Sequence, residues 1–193
     1  MSDATLPDEG TEPGKPRSER LFVGVPLTEE ARRAIAASLP QSLPGKPVPP
    51  ENWHFTLRFL GATSTEARAQ IVARLQAARC GAPFKIRFGE LGAFPNARRA
   101  RVLWLGIEDG SERMTQLAAI AEGAARSVGF EPEVREYTPH LTLSRIDPAK
   151  SVSDLIAGKP KVAVEMSVRS VILYRSRLGG GPARYEVVER FDF

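Results

Sequence analysis

One tetrapeptide occurs twice in this chain and constrains its fold more than any other feature. His54-Phe55-Thr56-Leu57 and His140-Leu141-Thr142-Leu143 both read His-x-Thr-Leu, and these are the only two histidines in 193 residues. At ordinary residue usage, Thr at +2 and Leu at +3 of both is an accident on the order of one in ten thousand or rarer. Both copies lie in apolar, β-branched and aromatic surroundings, which read as strands with side chains alternating between two faces. In the first copy that alternation sets His54, Thr56 and Arg58 on one face and Phe55, Leu57 and Phe59 on a core face. In the second it groups His140, Thr142 and Ser144, with Leu141 and Leu143 toward the core. Ile146 reaches the core face, and Arg145 the histidine face, only if the strand bulges or ends near Ser144.

The elements around the two motifs recur in the same order. Leu21–Val25 reads as a buried strand, Thr28 as the N-cap of a helix that Pro40 stops, and 40–50, with five prolines and one glycine, as a stiff loop into the strand 52–60. A helix over 66–78 follows, then a strand from Phe84, extended past a bulge at Gly89, and a basic turn at 95–99. From 101–107 the series restarts: strand, helix over about 111–127 with Gly129 as its stop, proline-containing loop and second motif strand. A short helix near 152–157, strands over 162–165 and 168–175, a Gly-rich turn at 179–182 and a last strand over 184–193 complete it. The expected fold is α+β, a bilobal pseudo-two-fold duplication with two antiparallel sheets flanked by helices. The two motif strands then present their polar faces to one cleft between the lobes. The lobes are expected at about 20–100 and 101–193, with exchange of terminal strands between them left open.

Residues 1–18 are rich in Pro, Gly and acidic side chains and read as a disordered leader, so 19–193 forms the single folded domain. The leader's acids offset part of the basic excess. The chain carries a net +4, and the part after the leader about +6, which is compatible with an anionic ligand. There is no apolar run long enough for a membrane span and no signal peptide, and one cysteine, Cys80, excludes an internal disulfide framework. The expectation is a cytoplasmic protein, monomeric, with no obligate protein partner.

Two imidazoles facing each other can supply both a base and an acid near neutrality. The hydroxyls of Thr56 and Thr142 share their histidines' faces and can donate to an anionic oxygen held between the rings. Arg145, and Arg58 if it shares the site, would add charge-assisted donors suited to phosphate. With two histidines and one distant cysteine the usual zinc ligand set is missing, so no metal or other cofactor is expected. This constellation suits attack on a phosphodiester.

The paired motifs, together with Trp53–Gly61, Arg101–Gly106 and Tyr137–Arg145, resemble the 2H phosphoesterase superfamily, and within it the RNA 2′,3′-cyclic phosphodiesterases, also called 2′-5′ RNA ligases. The resemblance spans about 20–193. It implies metal-independent opening of a terminal 2′,3′-cyclic phosphate to a 2′-phosphate, on RNA ends or nucleotide cyclic phosphates. It implies His54 as proton donor, His140 as proton acceptor, and Thr56, Thr142 and Arg145 as phosphate-binding residues. Three alternatives share these residues: a 2H enzyme for a small cyclic nucleotide or ADP-ribose cyclic phosphate, an enzyme that mainly ligates RNA ends, and an RNA-binding module without chemistry. Trp53, Trp104 and Phe94 are candidates to stack a base, although the mid-run position of Trp104 favours the core. The Arg98, Arg99 and Arg101 cluster reads either as RNA steering or as a solvated turn.

Overall fold

The computed structural model describes residues 18–158, 161–177, 179 and 183–193. The leader, apart from Ser18, and most of the turn at 179–182 lie outside the described residues. The strands are β1 (Glu19–Pro26), β2 (Lys46–Pro47), β3 (His54–Thr63), β4 (Phe84–Phe94), β5 (Ala100–Asp109), β6 (His140–Lys150), β7 (Glu165–Val168), β8 (Ser170–Arg177) and β9 (Arg184–Asp192). The helices are α1 (Glu29–Ser38), α2 (Thr65–Ala77), α3 (Ser111–Arg126) and the short α4 (Ser153–Ala157).

Local chemistry sets the boundaries. The Thr28 and Ser64 hydroxyls accept from the amides of Ala31 and Ala67, capping α1 and α2. Gly129, at φ +92, takes the left-handed turn that ends the α3 segment. The expected strand over 162–165 begins three residues later, at Glu165. Val162 and Val164 hydrogen-bond instead to Gly89 and Phe88, at the register shift of β4, so they are extended without joining the ladder. The proline-rich loop is more than a connection, because Lys46 and Pro47 pair with β6.

All strand pairs are antiparallel, and the order is β7-β4-β5-β6-β3-β1-β8-β9. Two four-stranded arrays, β6-β5-β4-β7 and β3-β1-β8-β9, meet at a single pair, Phe55 with Leu141. The two sheets expected from sequence are therefore joined at one seam into a continuous sheet. The arrays correspond position by position: β3 to β6, β1 to β5, β8 to β4. In each, the strand beyond the central one comes from the other half of the chain, β4 beside β5 and β8 beside β1.

One face of the sheet is covered. Leu21, Val23, Val25, Phe55, Leu57, Leu105, Leu141 and Leu143 join Ile35 of α1, Ile71 and Leu75 of α2, and Met114 and Leu117 of α3 in one core. Burying each of these large side chains contributes roughly 1.5–3 kcal/mol. The opposite face carries the two histidines.

Candidate active site

Phe55 and Leu141 each follow the histidine of their motif, so the one pair that joins the arrays pairs equivalent residues. A pseudo-two-fold axis through that pair runs the two His-x-Thr segments antiparallel, with both histidines on the uncovered face. This juxtaposition needs no loop to close over it; the seam of the sheet creates it.

Each motif strand is then bent by a bulge. Between Leu103 and Trp104 of β5 the register on β6 jumps from Ser144 to Thr142, which leaves Leu143 as an extra residue. Alternation restarts there. Ser144, expected beside the histidine, is fully buried, and its hydroxyl donates to the Pro44 carbonyl. Ile146 is buried, and Arg145 turns to the histidine face, where its positive charge lowers the pKa of both imidazoles. The irregularity that Arg145 requires is present. On β3 the same shift occurs at Leu57, between Val23 and Gly24 of β1. Arg58, the counterpart of Ser144, is turned to the covered face, where it pairs with Glu122 of α3 and donates to the Glu131 carbonyl. Phe59, the counterpart of Arg145, is turned out, 60% exposed. Two expectations are thereby corrected: Arg58 is outside the site and Phe59 is outside the core.

The imidazoles are held alike. His54 Nδ1 lies 2.8 Å from the Asn52 carbonyl and His140 Nδ1 2.7 Å from that of Thr138. A carbonyl only accepts, so each Nδ1 carries the proton and each Nε2 is left as an acceptor. His54 Nε2 accepts from the Thr56 hydroxyl at 3.1 Å. Thr142 and His140 occupy the equivalent positions across the axis. Aromatic rings desolvate both histidines. His54 packs on Phe22 at 4.7 Å between centroids and takes the edge of Tyr185 at 5.0 Å, while His140 meets Phe94 at 5.0 Å and Trp104 at 6.2 Å. Burial, reinforced by the charges of Arg145 and His140, lowers the His54 pKa to about 4 against the pull of the Asn52 bond. His140 is lowered by burial and by Arg145, against the Thr138 bond. Both rings are therefore neutral at pH 7 while the site is empty.

A family model described as "LigT like Phosphoesterase" matches the chain twice, over residues 25–104 and 105–183, one match for each motif. This chain belongs to the LigT-like phosphoesterase family. It is 32% identical to a protein of Aquifex aeolicus named RNA 2′,3′-cyclic phosphodiesterase, over 89% of this chain and 96% of that protein. An Escherichia coli protein of the same name is 31% identical over 90% of this chain and 96% of its own length. The solved structure of E. coli LigT complexed with 3′-AMP superposes with a TM-score of 0.78 at 28% identity, covering 91% of this chain and 98% of that one.

The walls of this LigT-like site contain residues that sequence alternation alone misassigns. Trp104 lies mid-strand but on the histidine face, because β5 contributes its own alternating set, Val102, Trp104 and Gly106, to that face. Its ring occupies the space that a side chain at residue 92 of β4 would take; a Cβ there would sit 2.2 Å from the indole. Trp53, by contrast, is core, with its indole N–H donating to the Val48 carbonyl. At the position corresponding to Trp104, β1 has Gly24, and a Cβ there would meet the Phe55 carbonyl at 2.8 Å and His54 at 3.5 Å. Aligning the two motifs, His-Phe-Thr-Leu-Arg-Phe over His-Leu-Thr-Leu-Ser-Arg, exposes the Phe59–Arg145 equivalence directly. Among the described residues no group of three or more His, Cys, Asp or Glu gathers as around a metal ion, and no helix is long and apolar enough to cross a membrane.

Proposed function

We propose that this LigT-like phosphoesterase hydrolyses RNA 2′,3′-cyclic phosphate termini to 2′-phosphomonoesters by acid/base catalysis between His54 and His140. The reading rests on two imidazoles with Nδ1 committed to a carbonyl and Nε2 directed to one cleft beside Arg145. The relatives named RNA 2′,3′-cyclic phosphodiesterase and the 3′-AMP complex of LigT support the substrate class.

In this mechanism His140 Nε2 removes a proton from water as its oxygen attacks phosphorus. The bond from phosphorus to the ribose 3′ oxygen breaks, and His54 Nε2 delivers a proton to that oxygen. The 2′ oxygen keeps the phosphate. Arg145 and the hydroxyls of Thr56 and Thr142 hold the non-bridging oxygens, where negative charge grows. His54 must be protonated to act, yet its pKa in the empty site is about 4. The anionic phosphate supplies the missing stabilisation by opposing the Arg145 charge and favouring imidazolium beside it. Once Nε2 carries a proton it no longer accepts from Thr56, and that hydroxyl is released to donate to the phosphate. With a 5′ hydroxyl in place of water, the same groups join two RNA ends: His140 takes the hydroxyl proton as its oxygen attacks phosphorus, the bond to the 3′ oxygen breaks, that oxygen is protonated by His54, and a 2′-5′ diester forms. In this reading His54, His140, Thr56, Thr142 and Arg145 carry every proton transfer and phosphate contact.

The test is to incubate the protein, with EDTA present, with a short RNA ending in a 2′,3′-cyclic phosphate. A 2′-phosphate product is expected. A 3′-phosphate product, or turnover that EDTA abolishes and added metal restores, would overturn the mechanism. Turnover of small cyclic phosphates alone would move the substrate class to mononucleotides.

A further inference from the structure

Arg145 does not stand alone on the histidine face. Opposite it on β2 is Lys46, and directly paired residues of an antiparallel ladder point to the same face with adjacent Cβ atoms. The row continues through Val102 of β5, paired with Arg145, to Phe94 of β4, whose ring meets His140 at 5.0 Å. Lys46 therefore shares the face of the site, on the edge of β6 that faces β3 and across Arg145 from Val102.

The sequence places Lys46 there by unusual means. Gly45 has φ +82, and a Cβ on it would lie 2.4 Å from the Arg145 carbonyl, so only glycine brings the loop this close. On either side, the Ser144 hydroxyl donates to the Pro44 carbonyl, and the Val48 amide donates to the Leu143 carbonyl at 2.8 Å. The bulge that aims Arg145 and the clamp that seats Lys46 thus share the residues 143–145.

At this end of the sheet Arg101 pairs with Asp147 at 3.3 Å, but Lys46, Arg98 and Arg99 are left without an acid. Arg32, Arg58, Arg68, Arg87, Lys161 and Arg175 each pair with an acid. Among the described residues Lys46, Arg98 and Arg99 make no salt bridge, and all three are exposed. Arg98 and Arg99 belong to the 3₁₀ turn Ala97–Arg99 between β4 and β5. That turn sits at the same end of the sheet, since Ala97 and Leu43 of the loop pack on one small cluster around Leu103 and Ile146.

We propose that Lys46, continued by Arg98 and Arg99, is a phosphate track for the RNA strand upstream of the terminal cyclic phosphate. Its ligand is single-stranded oligonucleotide rather than mononucleotide. The inference deepens the proposed function and rests on Arg145 facing the reacting phosphate. Each backbone phosphate held by a cation releases counter-ions, so affinity falls with salt in proportion to the contacts made. A lysine that only keeps an edge strand soluble has no such effect.

The experiment compares wild type with Lys46→Gln, Lys46→Arg and the double variant Arg98→Gln/Arg99→Gln. The probes are a fluorescent RNA octamer ending in a 2′-phosphate and, separately, adenosine 2′-monophosphate. Wild type should bind the octamer more tightly than the mononucleotide. Lys46→Gln should weaken the octamer several-fold and reduce the slope of log affinity against log salt by about 0.7. Lys46→Arg should restore both, and mononucleotide affinity should not change. Equal loss for both ligands, an unchanged salt slope, or octamer binding no tighter than the mononucleotide would overturn the track. A Lys46-dependent salt slope in a protein that leaves cyclic phosphate intact would keep the track and remove the hydrolytic reading.

Discussion

In the proposed mechanism the surroundings of His54 make proton supply part of substrate binding. Phe22 and Tyr185 strip water from its ring, and Arg145 and His140 add positive potential, so its pKa falls to about 4. The ring should therefore titrate near that value in the free protein and rise by more than one unit when an adenosine 2′-phosphate probe binds, as read by imidazole ¹⁵N chemical shifts. An unmoved titration would show that phosphate does not reach His54. Arg58 and Arg145, both near a motif, should behave oppositely. Arg58→Ala strands Glu122 in a partly buried pair and should lower stability by about 1–3 kcal/mol, with kcat within a few-fold of wild type. Arg145→Ala should leave the melting temperature unchanged and lower kcat/KM by at least tenfold. The histidines and threonines were legible from their repeat. The fate of Arg58 was not, because strand parity is read as if the ladder were regular, and neither bulge leaves a mark such as glycine at Leu57 or Leu143.

At the level of the strand, those two bulges do the selecting. Each inserts one residue after the Thr and sends the next polar side chain to the covered face. The first copy buries Arg58 and exposes Phe59; the second buries Ser144 and exposes Arg145. The walls depend equally on absent side chains. Gly92→Ala forces a Cβ against the rigid indole of Trp104, an overpacking that should cost about 1–3 kcal/mol. It should also shift tryptophan fluorescence and reduce turnover through the displaced wall of His140. Unchanged fluorescence and activity would mean that Trp104 does not shape the site. Helix caps and the β4 bulge at Gly89 were readable because Thr, Ser and Gly have local chemical reasons to occupy those positions. The β2 clamp was not readable, since its partners are about 100 residues apart.

Across the whole molecule, duplication explains why one chain can hold two equivalent histidines at a seam. Element order repeats, the family match repeats at 25–104 and 105–183, and equivalent residues Phe55 and Leu141 form the joining pair. Sequence pattern revealed that symmetry and the α+β class. The β4–β5 hairpin was readable from its short turn, but the full strand order was not, because β8 pairs with β1 and β7 with β4 through contacts that no periodicity encodes. The buried histidines also tie stability to pH. A folded-state pKa below the unfolded value of roughly 6.5 means that the unfolded chain binds more protons between pH 6.5 and 4, so stability is full above that window and is lost as pH falls through it. For His54 the loss is about 3 kcal/mol. The ligand-free protein should lose less stability between pH 7 and 4.5 as His54→Gln than as wild type, measured by denaturant unfolding. Equal losses would place the His54 pKa near its ordinary value.

The pairing of the two imidazoles is tested most directly by the turnover of His54→Gln, His140→Gln and the double variant on RNA ending in a 2′,3′-cyclic phosphate, with folding verified by thermal melting. Each single variant should lose roughly 10²–10⁴ in kcat/KM, and the double variant little more than the worse single, because an acid and base acting as a unit are not additive. A folded single variant with wild-type turnover would remove that histidine from the chemistry and contradict the account.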